Sequence, residues 1–535
     1  MKTTIQRFLF FTVALAGLQA CDNYLNVEPD NRVMIDTPDK VQQLLINSYP
    51  TVNYATVAEL GSDNFVDNNA PNSKGLYYDL TSFDRMDDDA FAWVDTRTFS
   101  DGDSPYYLWQ QYYQSIASAN AALQAIDEIT QKGVTGDDLN KILLPAKGEA
   151  LLIRAYSHFM LVNIFSKAYK DAVKSQSDPG VLYVTAPVDE IKIESKRNSV
   201  AEVYDLIAKD IEDGIGLISN DAYKVPKYHF NVGAAHAFAA QFYLFKRDYA
   251  KVVSHATAVL GADPSKSLRD WTTLYNSADQ EAIAYMNTDE AANLLILPTY
   301  STFFRRFMNY RYGYNGDAVK GSVDDNGPTW SGRAPFATGW MWTYKADYGS
   351  FLAKILEQFE YTDRVAGIGY AHIVRSEYTT DATLLDRAEA YIFLNQIDNA
   401  VADLQAWNKS HKATQELTKA VITGFYTANN ANFSKVFHTQ ELSPDFMVTG
   451  SQKPYVDCVL HFRRLERIFE GHRWFDIKRY GIELQHVIGH GATRVTLTYD
   501  DDRRAVQIPS DVVGAGVEPN PRQATPTEGE MVRVN

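Results

Sequence analysis

The chain has 535 residues, 45 % hydrophobic and 22 % charged, with a net charge of −16. That is the composition of a folded globular protein, and its acidity opposes partners held by bulk negative charge, whether nucleic acid or anionic lipid. Two cysteines, Cys21 and Cys458, exclude a disulfide framework.

At the N-terminus, Lys2 and Arg7 precede an apolar run from Phe8 to Leu18. The run is shorter than the about 20 residues that span a bilayer and has the length of a signal-peptide core. It closes in Leu18-Gln19-Ala20-Cys21, which resembles the lipobox of bacterial lipoproteins. The resemblance implies cleavage before Cys21 and acylation of its thiol; more than one acyl chain gives lasting anchorage. Loss of Lys2 and Arg7, with no acid, moves the net charge from −16 to −18. Asp22 to Pro29 reads as a tether, and no later window approaches a membrane-spanning run.

From Asp63 to Pro105 helical periodicity is missing. Tyr77, Tyr78, Phe83 and Trp93, with Trp109 just beyond, cluster with Asn64, Asp67, Asn68 and Asn69. Helical spacing begins at Ile116 to Ile129 and is clearest over Pro145 to Lys167, where Leu144, Gly148, Leu151, Ala155, Phe159 and Val162 share one face. Ser199-Val200-Ala201-Glu202 is a capping-box pattern opening a helix through Val203, Ile207, Ile211 and Gly214. An alanine-rich helix over Gly233 to Phe245 and another from Tyr249 to Leu260 follow. A later pair carries Leu384, Ala388 and Tyr391, then Ala400, Leu404 and Trp407. The breaks at Arg247-Asp248 and Gln396-Ile397 resemble turns of tetratricopeptide units.

A second irregular segment, Thr299 to Ala346, is rich in Gly, Asn, Asp and aromatic rings. Long irregular loops commonly carry function. A flat ring stacks on the apolar face of a sugar while Asn, Asp and Arg take its hydroxyls; the same mixture grips an extended peptide. The candidate ligand contacts are Trp93 and Asn68 in the first segment and Tyr312, Trp330, Trp342 and Tyr344 in the second.

Near the C-terminus stands the run Arg463-Arg464-Leu465-Glu466-Arg467-Ile468-Phe469-Glu470-Gly471-His472-Arg473-Trp474-Phe475-Asp476-Ile477-Lys478-Arg479-Tyr480-Gly481. Leu465, Ile468 and Phe469 form an apolar stripe, Arg467 can pair with Glu470 on the helix surface, Gly471 permits a stop or bend, and Asp476 can cap or bind Arg473. This reads as a structural clasp. Glu466, Glu470, His472 and Asp476 would need their proton affinities pushed apart in a cleft to act as catalysts, whereas Arg463, Arg464, Arg467 and Arg473 would keep the acids ionised. His486 and His490, four apart, could share a helix face but lack the third ligand of a zinc site. Asp87-Asp88-Asp89 and Asp500-Asp501-Asp502 lack the ligand order of a calcium loop. No metal or cofactor is expected.

The 463–481 run resembles the C-terminal signature of the SusD/RagB family. Gly148-Glu149-Ala150-Leu151-Leu152-Ile153-Arg154-Ala155, Ser118-Ala119-Asn120 and the closing Ile508-Pro509 and Asn520-Pro521 elements resemble that family in order, although Asp511 is the nearest acid where a glutamate is usual. The resemblance implies a mostly α fold: a scaffold of four tetratricopeptide-like helical pairs with long irregular loops and an elaborated C-terminal part. Parts are expected at 1–20 (signal peptide), 21–290 and 291–535. It further implies a non-enzymatic nutrient receptor of the outer membrane, lipid-anchored at the cell surface, which covers a TonB-dependent transporter of the SusC type like a lid. The cargo would be an oligosaccharide or, alternatively, a peptide; a surface-anchored glycan hydrolase and a purely structural subunit are the rival readings.

Overall fold

Side-chain oxygens set where the helices begin. The computed structural model describes residues 34–96, 102–187, 196–345, 348–426, 441–490 and 493–522; Cys21 and its tether lie outside them. Among the described residues, Thr37 caps α1 (Pro38–Ile46), and α2 (Ala55–Leu60) follows. Asp84 and Asp87 form a capping box on α3 (Arg85–Phe91). Ser104 caps α4 (Pro105–Gln131), which therefore starts well before the helical spacing becomes regular. The family-like helix is α5 (Leu144–Phe165). The expected Ser199/Glu202 capping box opens α6 (Val200–Ile215). Asn231 and Asp248 cap α7 (Val232–Lys246) and α8 (Tyr249–Leu260), joined through Arg247 at φ +65°. After α9 (Ala278–Tyr285) come α10 (Thr380–Phe393) and α11 (Ile397–Ser410), separated by Asn395 at φ +58°. The clasp run supplies α12 (Lys453–Glu466) and α13 (His472–Arg479).

These helices pack in series: α4 on α5, α5 on α6, α7 on α8, α8 on α10, and α10 on α11 and α12. Among the described residues, no helix is long and apolar enough to cross a membrane. The core is continuous and strongly aromatic. Helix α5 is buried nearly all round, and the charged groups it carries inward, Glu149 and Arg154, have partners. Glu149 accepts from Tyr49 at 2.6 Å, from His229 at 2.8 Å and from Tyr223. Arg154 forks onto Asp210 at 2.7 and 2.6 Å. His158 donates to the Arg154 carbonyl at 2.9 Å and accepts from Val184 N–H at 3.1 Å.

Strands are short and antiparallel. β1 (Val66–Asp67) pairs with β3 (Tyr312–Gly313), β4 (Met341–Lys345) with β5 (Gly349–Leu352), and β8 (Leu484–Ile488) with β9 (Thr493–Leu497). A three-stranded sheet has β7 (Ile368–Thr379) between β2 (Asn293–Tyr300) and β6 (Gln358–Asp363), with Leu297 opposite Arg375 and Gln358 opposite His372. Two sequence expectations change here. The segment 299–346 contains paired strands rather than only loops. His486 lies in β8 and His490 in the turn after it, so the two do not share a helix face; Gly489 at φ +64° makes that turn.

The packing of α5 on α6 depends on two glycines. A Cβ at Gly148 would stand 2.8 Å from the Gly214 carbonyl oxygen and 2.9 Å from Leu217 Cβ. Gly148→Ala is expected to lower unfolding free energy by about 1–3 kcal/mol through overpacking. Gly216→Ala, with nothing within 4 Å, should differ little from wild type in the same urea titration.

Candidate functional site

The clasp run is buried. Helix α12 stops at Glu466; Phe469 at φ +68° and Gly471 at φ +82° turn the chain into α13. A side chain at Gly471 would meet Ala55 Cα at 2.9 Å, and its N–H donates to Glu59 at 2.8 Å. Arg463 reaches across to α10, donating to Glu389 at 2.6 Å and Asp386 at 3.1 Å. Arg479 joins the same Glu389, as does the Tyr480 hydroxyl at 2.7 Å. Arg464 and Arg473 both bind Asp63, at 3.0 and 2.8 Å. Arg467 pairs with Glu470 at 2.9 Å and donates to the Glu377 carbonyl at 3.2 Å.

Several details differ from the sequence reading. The Arg467–Glu470 pair is buried, not on a helix surface. Asp476 binds Arg463 and Arg479, at 3.3 and 3.0 Å, while Arg473 turns to Asp63. Glu466 contacts His411 at 2.9 Å and Trp407 Nε1 at 2.8 Å. Burial opposes its ionisation, but His411 and Lys354 outweigh burial and bring the carboxyl to about 2. Burial, reinforced by Arg467, holds His472 well below the usual imidazole range. All four groups of the catalytic reading are inside the clasp. The acidic triplet at 87–89 is likewise structural: Asp87 is buried against Arg306 at 2.6 Å, and Asp88 accepts from Tyr312 at 2.7 Å.

The proposed ligand contacts separate into two groups. Trp93 is buried at φ +52°, donates to the Gly61 carbonyl at 3.0 Å and stacks 4.1 Å from His486. His486 stacks on Phe91, which packs on Tyr312, so Trp93 and Tyr312 end one buried aromatic column. Asn68 is buried beside it, donating to the Tyr348 carbonyl at 3.2 Å. Trp330 is half-buried against Phe462 and donates to the Asp325 carbonyl at 3.1 Å. Trp342 and Tyr344 share one face of β4. Trp342 is half-buried and donates to Glu281 of α9 at 2.5 Å, while Tyr344 is 56 % exposed.

Helix α9 also walls an open cleft of about 580 Å³ against β6 and β7, lined by Tyr228, Ile283, Met286, Asn287, Gln358 and Val374. Tyr228 and Ile283 are exposed. On the neighbouring strands, Phe359 and Tyr361 are exposed 4.9 Å apart, and Tyr300 meets Tyr370 edge-on at 4.5 Å. Ring and aliphatic surfaces thus border Asn and Gln amides, a combination suited to stacking and hydroxyl recognition. None of the cleft residues was singled out in the sequence. The available signal was the alternation Gln358-Phe359-Glu360-Tyr361 before the turn at Asp363 to Gly367, a hairpin pattern with exposed rings.

Comparison with known proteins agrees with the clasp and with α5. A family model described as starch-binding, associating with outer membrane, matches residues 23–244, and the SusD family model matches residues 299–512. The chain belongs to the SusD/RagB family. The SusD-like protein P38 of Formosa agariphila is 21 % identical over 519 residues, covering 87 % of this chain and 89 % of that one. A SusD superfamily structure from Bacteroides thetaiotaomicron has a TM-score of 0.59 at 18 % identity, covering 91 % of this chain and all of its own. A laminarin-binding SusD-like structure has a TM-score of 0.54 at 16 % identity, covering 91 % and 99 %. The mostly α SusD-like fold expected from the sequence is the fold observed.

Burial raises the proton affinity of Glu389, yet Arg479 and Arg463 reverse this and bring it to about 2. The folded value lies below the unfolded one of about 4.3. Its contribution is therefore complete above that pH and is lost as pH falls through 2. Glu389→Gln is expected to cost about 3–5 kcal/mol at pH 7, with a smaller difference from wild type at pH 3, read by denaturant unfolding at both pH values.

Proposed function

We propose that this protein is a cell-surface receptor that binds an oligosaccharide non-covalently and delivers it to a TonB-dependent transporter of the SusC type. Lipid on Cys21 would hold it at the outer membrane. The observation carrying the binding reading is the cleft between α9 and β6/β7, with Trp342 fixed by the same helix that forms one wall. Family membership supports it: the matching model is described as starch-binding, and one structural neighbour binds laminarin. The burial of Glu466, Glu470, His472 and Asp476 in the clasp favours a binding role over hydrolysis by those groups.

A receptor that must release its cargo binds in the micromolar to millimolar range, about −8 to −4 kcal/mol. Calorimetric titration with a panel of oligosaccharides should find at least one ligand in that range. Trp342→Ala and Tyr228→Ala should each weaken it by about tenfold, the effect of roughly 1.4 kcal/mol. Binding only to peptides, or glycan affinity unchanged in both variants, would reject this assignment.

A further inference from the structure

A second cavity, of about 230 Å³, lies where the C-terminal ends of α5, α7 and α13 converge, and its walls include Tyr169, Arg247, Lys478, Tyr499, Asp500 and Arg504. We propose that it binds an oxyanion, the carboxylate or sulfate ester of an acidic sugar. The sugar half rests on the receptor reading above; the oxyanion half stands without it.

Lys478 is buried and donates to the Asn163 and Ser166 carbonyls at 2.5 and 2.6 Å. Arg504 is buried and donates to the carbonyls of Ile477, Ile482 and Thr498 at 2.8, 2.5 and 2.6 Å. Arg247 donates to the Tyr169 carbonyl at 3.0 Å and lies 4.4 Å over the Phe446 ring. Among the described residues, none of the three is in ion-pair contact with a carboxylate.

The other charged walls are largely committed. Lys167 pairs with Asp502, Lys170 with Asp178, and Arg479 with Glu389 and Asp476. Asp445 pairs with Lys174, and Asp501 with Arg503. Asp500 is a further acid on the same wall. Carbonyl partners orient those basic groups, and the walls as a whole carry six basic side chains against the three acids Asp445, Asp500 and Asp501, in a chain whose net charge is −16. Burial, with Arg504 adding to it, pushes Lys478 down to about 7; burial also lowers Arg504 to about 10. A bound anion would relieve that desolvation, and guanidinium groups suit carboxylate and sulfate oxygens in pairs. Tyr499, 54 % exposed, supplies a ring at the rim for the sugar.

The test is calorimetry on the mature chain at constant ionic strength, with sodium sulfate, glucuronate, a sulfated monosaccharide and glucose. Sulfate and at least one acidic sugar should bind saturably and glucose should not. Arg247→Gln should weaken the acidic ligands about tenfold, the effect of one charge-assisted hydrogen bond. Tyr499→Ala should weaken the acidic sugar and leave sulfate unchanged. Arg247→Lys, which keeps the charge but loses the paired guanidinium donors, replaces Arg247→Gln if that variant does not fold. Binding of sulfate alone overturns the sugar assignment. No binding of any anion, or affinities unchanged by these variants, overturns the cavity. Neutral-glycan binding lost only in Trp342→Ala reports on the receptor reading independently of either result.

Discussion

Glu389 lies fully buried on α10 between the guanidiniums of Arg463 and Arg479, with the Tyr480 hydroxyl completing its coordination. A carboxylate without those partners would be untenable inside a protein, and two guanidiniums without it equally so. This interaction binds the last helices of the chain to the helical repeats. Neighbouring arginines extend it: Arg464 and Arg473 reach Asp63, and Arg467 reaches β7 through Glu377. Segments far apart in sequence thus meet at one charged core, which fixes where α9, β6 and β7 can stand and so shapes the cleft.

The clasp also divides structural from binding chemistry. Its acids and histidine are packed and paired, while the accessible rings and amides are found at the sheet and helix edges. A receptor needs a rigid frame and a polar-aromatic surface, and the two are segregated here: arginine–carboxylate pairs lie inward in the clasp, while amides, apolar surface and the acids Asp279 and Glu357 line the cleft. The cavity at the helix ends is the exception, because Lys478 and Arg504 donate to main-chain carbonyls rather than to carboxylates.

Much of this was legible in the sequence. Helices α5 to α8, α10 and α11 follow from apolar spacing and from caps such as Ser199 with Glu202, because local periodicity and end chemistry are both short-range. The clasp run was legible as structural, but its partners were not. Asp63, Glu377 and Glu389 are distant in sequence and carry no local mark of their pairing. The aromatic loops were misleading for a related reason. A segment without helical period must still build a core, and Trp93, Asn68 and Tyr312 do so, whereas Tyr344 remains outside. The exposed hairpin of β6 and β7 was overlooked because two-residue alternation in a short stretch is a weak signal beside long helical patterns.

The central claim is that arginine–carboxylate pairing in the clasp holds the C-terminal helices to the repeat scaffold. A double-mutant cycle on Arg463→Met and Glu389→Gln, measured by denaturant unfolding at pH 7, tests it most directly. The account predicts a coupling energy in the range of about 0.5–3 kcal/mol found for residues in one network, toward its upper end because both groups are buried. Losses that simply add, as they would for independent sites, would contradict it.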